Sequence, residues 1–218
     1  MPAALVAGGT GALGGAVVSE LVGSGWAVTV VGRHAGGEEG IASVKADLLD
    51  PAAARMAVEG VEDLRAVVNL VGGFAMGPRV EGVDLAEFER MLRLNLVPAF
   101  NLARAAMPRL AAAQGGGFVC VSARAALRPF PGAAGYITAK AALLALVQAL
   151  DAEYGAAGVR SNAVLPSVID TAANRESMPD ANWSKWVPPA EIARVIRFLC
   201  SEDSAPTSGA AVPVYGRS

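Results

Sequence analysis

Seven short, mostly apolar runs separate the helical stretches of this 218-residue chain. They fall at residues 4–7, 27–31, 43–46, 66–71, 118–122, 160–165 and 211–214, and the helical patterns at 12–23, 51–59, 84–112, 135–156 and 189–201. The runs are apolar on successive residues, so both sides of each strand need cover, and helices on both faces of a sheet provide it. Strands alternating with helices build a parallel sheet. The expected fold is α/β: a single doubly wound, Rossmann-type domain over residues 1–218, with a seven-stranded parallel sheet and helices on both faces. Gly36 to Gly40 reads as a surface loop after the second strand, and Gly115-Gly116-Gly117 as a turn into the fifth. No internal repeat is visible.

Composition narrows the function classes. With 53% hydrophobic and 17% charged residues the chain can fill one large core. A net charge of −2 without a basic run argues against nucleic acid. No apolar run reaches the roughly 20 residues that cross a bilayer, and Met1-Pro2 leads straight into a strand without a signal peptide. The expectation is therefore a cytoplasmic protein with no membrane partner, whose partners are a small-molecule substrate and other copies of itself. Cys120 and Cys200 sit in a strand and at a helix end, where core thiols are expected rather than ligands or a disulfide. His34 is the single histidine, so neither a metal site nor serine–histidine hydrolysis has a constellation here.

Two local patterns carry chemistry. Ala4-Leu5-Val6-Ala7 runs into Gly8-Gly9-Thr10-Gly11-Ala12-Leu13-Gly14-Gly15 and then into a helical pattern through Val17, Val18, Leu21 and Val22. Strand, glycine turn and helix in that order let backbone N–H groups approach a pyrophosphate at the positive end of a helix. A glycine-rich turn that binds no nucleotide is the bland alternative. Further on, Tyr136-Ile-Thr-Ala-Lys140 opens a long alanine- and leucine-rich helix. Spacing i, i+4 places phenol and ammonium on one face, and a lysine near a phenol favours its anion, lowering the tyrosine pKa from about 10. Such a tyrosine can hand a proton to a carbonyl or imine. A solvated tyrosine–lysine pair is the bland alternative.

With both motifs in strand–helix contexts, the chain resembles the short-chain dehydrogenase/reductase superfamily over essentially its whole length. The intervals Gly8, Gly11, Gly14 resemble that family's glycine fingerprint, with Thr10 and Leu13 in the same turn. Asp47 and Leu48 follow the third strand where the family places an aspartate against the adenine. Asn69-Leu70-Val71-Gly72 looks like a modified Asn-Asn-Ala-Gly segment. Asn95 matches the family's catalytic asparagine, and Pro166-Ser167-Val168-Ile169-Asp170-Thr171 resembles Pro-Gly-x-Ile-x-Thr, with Ile169 and Thr171 flanking the nicotinamide carboxamide. The resemblance implies Tyr136, Lys140 and Asn95 as catalytic residues, and a cofactor site of Gly8, Thr10, Gly11, Leu13, Gly14, Arg33, Asp47, Leu48, Val71, Gly72, Tyr136, Lys140, Pro166, Ile169 and Thr171. Asn95 also has a local rationale: Pro98 lacks an N–H, which frees the Leu94 carbonyl inside the helix.

One position departs from the family. Ala123 stands thirteen residues before Tyr136, where a serine usually bonds the reacting oxygen. Ser122 is one residue early, and on a strand one residue flips the side chain to the other face, so it substitutes only where the strand end is bulged or twisted. Losing one oxyanion donor typically costs about 3–4 kcal/mol. Alanine here is similar to the quinonoid dihydropteridine reductase branch, as are Ser122 to Leu127, Leu165-Pro166, Asp170-Thr171, Asn174 to Pro179 and Trp186. That branch carries an acidic residue at the end of the second strand, prefers NADH and lacks an asparagine matching Asn95.

The second strand instead ends in Gly32-Arg33-His34. Gly32 stands where an acidic residue would hold the NAD ribose, and Arg33 can pair a 2′-phosphate. NADP(H) is the favoured cofactor and NAD(H) the alternative. Residues 171–189, with Pro179, Pro188, Pro189, Trp183 and Trp186, read as a substrate lid. Ser122, Ala123, Phe74, Arg124, Phe130, Met178, Trp183 and Trp186 are the expected substrate contacts, with Met76 beside Phe74; such walls suit a flat, ring-bearing molecule. The expected activity is NAD(P)H-dependent reduction of a carbonyl or a conjugated imine or quinonoid group. The alternatives that Ala123 suggests are a redox-silent cyclase or lyase, and a nucleotide-binding sensor or scaffold. The resemblance also implies a homodimer or homotetramer built on helices 84–112 and 135–156, with Ala103, Ala105, Ala106, Ala141, Ala142 and Ala145 on their outer faces.

Overall fold

Strand order fixes where a ligand can sit. In the computed structural model, which describes residues 1–34 and 40–217, the strands form one parallel sheet in the order β3-β2-β1-β4-β5-β6-β7. They are β1 (Ala3–Ala7), β2 (Ala27–Gly32), β3 (Ala42–Lys45), β4 (Leu64–Asn69), β5 (Gly116–Val121), β6 (Val159–Pro166) and β7 (Ala211–Val214). From β1 the chain winds outward through β2 and β3, then returns to β4 on the other side of β1. The reversal leaves a crevice at the carboxyl ends of β1 and β4, the usual place for a ligand in such sheets.

Helices α1 (Ala12–Gly23) and α6 (Pro189–Cys200) cover one face, and α2 (Pro51–Glu59), α3 (Leu85–Ala112) and α4 (Ala134–Tyr154) the other. Successive residues of β4 show the two-sided burial: Val67 joins Leu5, Leu102, Phe118 and Leu143 in one core, and Val68 joins Val17, Leu21, Ile192 and Ile196 in the other. This is the physical reason for the unbroken apolar runs. Helix starts follow local chemistry: Asp50 accepts from Ala52 N (2.9 Å) beside Pro51, and Asp84 accepts from Ala86 N (3.0 Å).

Several details differ from the sequence expectation or fall outside it: Gly116 and Gly117, expected in a turn, already belong to β5, which ends at Val121 and leaves Ser122 just past the strand. Strand β4 ends at Asn69 rather than 71. A short helix, α5 (Ala172–Ser177), forms in the 171–189 segment, capped by Thr171 Oγ1 accepting from Asn174 N at 3.2 Å. Ala103 and Ala106, expected on an outer helix face, lie in the core at 1% and 0% exposure, because α3 packs against α2, α4 and the sheet at once. Of the expected loop Gly36 to Gly40, residues 36–39 lie outside the described residues. Among the described residues, no helix is long and apolar enough to cross a membrane.

Candidate active site

The turn after β1 is built by close packing. Gly8 adopts φ +80°, a conformation that favours glycine. A Cβ on Gly14 would lie 2.4 Å from Gly8 O and 2.5 Å from Gly9 C, so α1 can start this close to β1 only without a side chain there. Gly11, the N-cap of α1, is exposed, and no side chain bonds the helix start. The first-turn amides thus have no side-chain cap, and a helix N-terminus of that kind fits a dinucleotide's pyrophosphate. Thr10 is exposed and Leu13 half-buried on the same turn.

Along the crevice, Arg33 lies exposed just past β2. Asp47 accepts from Leu49 N at 3.0 Å, which shapes the turn after β3. Leu48 is buried, and its carbonyl accepts from Asn101 Nδ2 at 2.9 Å. Asn101 is a positioning residue that the sequence did not reveal: a mid-helix asparagine looks solvated until tertiary packing shows its partner 53 residues away. Val71 N donates to Asn69 Oδ1 at 3.3 Å, which turns the chain after β4.

Asn95, Lys140 and Gly72 meet at the centre. Gly73 N donates to Asn95 Oδ1 at 3.1 Å, and Asn95 Nδ2 donates to Gly73 O at 3.1 Å and to Met91 O at 3.0 Å. Asn95 therefore serves the carbonyl of Met91 rather than that of Leu94, and the expected link to Pro98 gives way to a clamp on the loop after β4. A Cβ on Gly72 would fall 2.5 Å from Asn95 Oδ1 and 3.1 Å from Lys140 Nζ. Lys140, 5% exposed, donates to Val121 O at 2.9 Å, and its Nζ lies 5.8 Å from the centroid of the Tyr136 ring. Phe74 meets the Tyr136 ring edge-on at 5.0 Å and is otherwise exposed.

The electrostatics correct one expectation. Burial pushes the Tyr136 phenol up to about 12, and burial brings Lys140 down to about 8. Desolvation is the leading cause for both groups: Lys140 is buried with Nζ turned to the Val121 carbonyl, and Tyr136 is half-buried. Burial also pushes both Cys120 and Cys200 up to about 12, which suits inert core thiols.

The residues expected to contact substrate have mixed surroundings. Ala123 is buried and offers a methyl group. Ser122 is 3% exposed and donates its hydroxyl to Lys140 O at 2.7 Å, so its proton is committed to α4 rather than to the cleft. Arg124 stacks its guanidinium over the Tyr215 ring at 5.1 Å, and Ser167 Oγ donates to Tyr215 O at 2.8 Å. Tyr215 was not singled out from sequence, since a lone aromatic near a chain end carries no spacing signal. Pro166 ends β6 in the core, and Ile169 pairs with Val187 as an isolated bridge. Asp170 pairs with Arg175 at 2.6 Å, Arg175 lies 4.8 Å over the Trp183 ring, and Trp183 Nε1 donates to Met178 O at 3.0 Å. Phe130 and Met178 are exposed at 40% and 37%. Trp186, at 8% exposure, packs beneath Trp183 and leaves little ring surface for a ligand.

Comparison with known proteins settles the family. A family described as Enoyl-(Acyl carrier protein) reductase matches residues 12–216. The chain belongs to the short-chain dehydrogenase/reductase superfamily. It is 30% identical to the dihydropteridine reductase of Dictyostelium discoideum, over 95% of this chain and 92% of that protein. It is 28% identical to the 3-oxoacyl-[acyl-carrier-protein] reductase MabA of Mycobacterium bovis, over 97% of this chain and 90% of that protein. A short-chain type dehydrogenase/reductase from Mycobacterium ulcerans superposes with a TM-score of 0.91 at 26% identity, covering 99% of this chain and 89% of that one. As a member of this superfamily the chain is an oxidoreductase of the NAD(P)(H)-binding kind, and its glycine turn fits that group.

Proposed function

We propose that this short-chain dehydrogenase/reductase is an NADP(H)-dependent reductase of a conjugated imine, quinonoid or carbonyl group on a small ring-bearing substrate. The observations that support the reading are the Tyr136 ring meeting Phe74 edge-on at 5.0 Å with Lys140 Nζ 5.8 Å from its centroid, the Ser122 proton donated to Lys140 O, and an alanine, Ala123, at the sequence position where the family carries its serine. A simple ketone concentrates its developing charge on one oxygen and gains from two donors. A conjugated imine or quinone spreads that charge over its ring and is served by one. The similarity to dihydropteridine reductase supports the same reading.

The nicotinamide of the bound dinucleotide supplies the hydride. Tyr136 supplies the proton to the oxygen or nitrogen that gains the electron pair, so the reduced product carries one hydride and one proton. Lys140 holds a positive charge beneath the phenol and positions the ribose, and Asn95 fixes the loop after β4 that forms the floor. The glycine turn with Thr10 and Leu13 takes the pyrophosphate, Asp47 and Leu48 the adenine, and Val71, Gly72, Pro166, Ile169 and Thr171 the remainder of the dinucleotide. Arg33 pairs the 2′-phosphate. Residues 171–189 form the cover over the substrate, with Met178 and Trp183 facing it, and copies of the chain associate through α3 and α4.

Stopped-flow loss of NADPH absorbance with ketones, quinones and quinonoid dihydropterins tests the activity. Rapid oxidation by the quinonoid members is expected; binding of NADPH without oxidation by any member contradicts it and favours a redox-silent role. Direct titration tests the cofactor: NADPH binds more tightly than NADH, and Arg33→Ala lowers NADPH affinity by about tenfold or more. Equal affinities would contradict the assignment of Arg33.

A further inference from the structure

Tyr136 also lines a second recess, of about 200 Å³, to which residues 171–189 contribute nothing. Its walls come from the loop after β4, the start of α3 and the start of α4, chiefly Met76, Val83, Phe88, Met91 and Ala134. The recess is held by backbone. Gly77 N donates to Gly132 O at 2.7 Å, and Gly132 sits at φ +84°, where a Cβ would come within 2.7 Å of Gly77 O. Across the floor, a Cβ on Gly135 would touch Met91 Cβ at 3.1 Å, so α3 and α4 fix the depth.

The chemistry of the lining selects its occupant. Among the described residues no lysine or arginine lines the recess, so an anionic group finds no counter-charge in that lining. Its two carboxylates are engaged locally: Asp84 accepts from Ala86 N at 3.0 Å, and Glu87 pairs with Arg90 at 2.6 Å. What remains of the side-chain lining is apolar, with Tyr136 at its edge toward the start of α4. An apolar cavity of about 150 Å³ is enough to hold benzene.

We propose that this recess seats a neutral apolar arm of the substrate, a ring or a short alkyl chain attached to the group that Tyr136 protonates. The inference rests on the assignment of Tyr136 as proton donor. It divides the substrate in two: a reacting ring under residues 171–189, and an arm that runs between the 75–83 loop and α4. Substrates with a charged substituent at that end are excluded.

Redox-inert phenols test it without requiring turnover. The holo protein with NADPH is titrated calorimetrically with 4-methyl-, 4-ethyl- and 4-propylphenol. Each added methylene raises affinity about three- to fourfold if it enters the recess, and Val83→Phe, which fills the recess, abolishes that gain. Met76→Trp, at a position 65% exposed and so tolerant of bulk, fills the rim and serves if Val83→Phe unfolds. A flat series, or a rising series that neither filled variant disturbs, overturns the proposal. A flat series together with a changed oligomeric state in Val83→Phe overturns it in favour of a subunit contact. The phenols accept no hydride, so failure of the NADPH oxidation assay with an intact phenol series removes the reductase reading alone.

Discussion

Asn95 and Gly73 bond each other in both directions, amide to side-chain carbonyl and side-chain amide to main-chain carbonyl, each at 3.1 Å. A single side chain on α3 thereby fixes both polar groups of a loop residue in the crevice between β1 and β4. Asn95 is 0% exposed while Gly73 is half-buried, so breaking the pair leaves the Asn95 amide unsatisfied in the interior.

Gly72→Ala tests that clamp sterically. The new Cβ would lie 2.5 Å from Asn95 Oδ1 and 3.1 Å from Lys140 Nζ. Asn95 must turn away, the Gly73 loop loosens, and stability falls by about 1–3 kcal/mol. NADPH oxidation should drop sharply. Wild-type urea midpoint and wild-type rates in this variant would show that the clamp has no such role.

Burial of Lys140 predicts a pH signature of stability. Its folded-state pKa of about 8 lies below the value of about 10.4 for free lysine, so between these values the unfolded chain binds more protons. Stability contributed by this group therefore rises with pH across that window. Lys140→Met removes the charge that is costly below about pH 8. Against this variant, wild type should gain in urea midpoint as pH rises from about 8 to about 10.4. Tyr136 has the opposite sign: with a folded pKa of about 12, it lowers stability from about pH 10 upward, and Tyr136→Phe should remove that fall. Taking differences between variants cancels the thiols of Cys120 and Cys200. A constant difference across pH would mean that Lys140 is solvated.

Ala123→Ser should restore a second donor. If the methyl group there is what steers the enzyme to conjugated substrates, turnover of simple ketones should rise by about tenfold or more, with little change for quinones. No gain for any ketone would show that position 123 does not face the reacting atom.

Much of the architecture was legible because burial on both faces writes itself as continuous apolar runs, and all seven strand positions and the five long helices follow from that. Helix α5 was not, since six residues are too few to show a period and its cap, Thr171, is visible only once the chain turns. At the site, glycines and the Tyr136–Lys140 pair carry fixed spacings and are readable. Asn101 and Tyr215 act through contacts 53 and 48 residues away, which no local pattern encodes. The commitment of the Ser122 proton to Lys140 O likewise depends on how β5 meets α4. The acidified phenol expected from the spacing alone failed for a physical reason: proximity along a helix says nothing about desolvation, which here is the larger effect.

The central claim is that Tyr136 gives the proton. Single-turnover mixing of NADPH-loaded Tyr136→Phe with a quinone that the wild type reduces tests it most directly. The account predicts NADPH binding like wild type and an oxidation rate lower by about 10²–10⁴. Oxidation at the wild-type rate in this variant would contradict it.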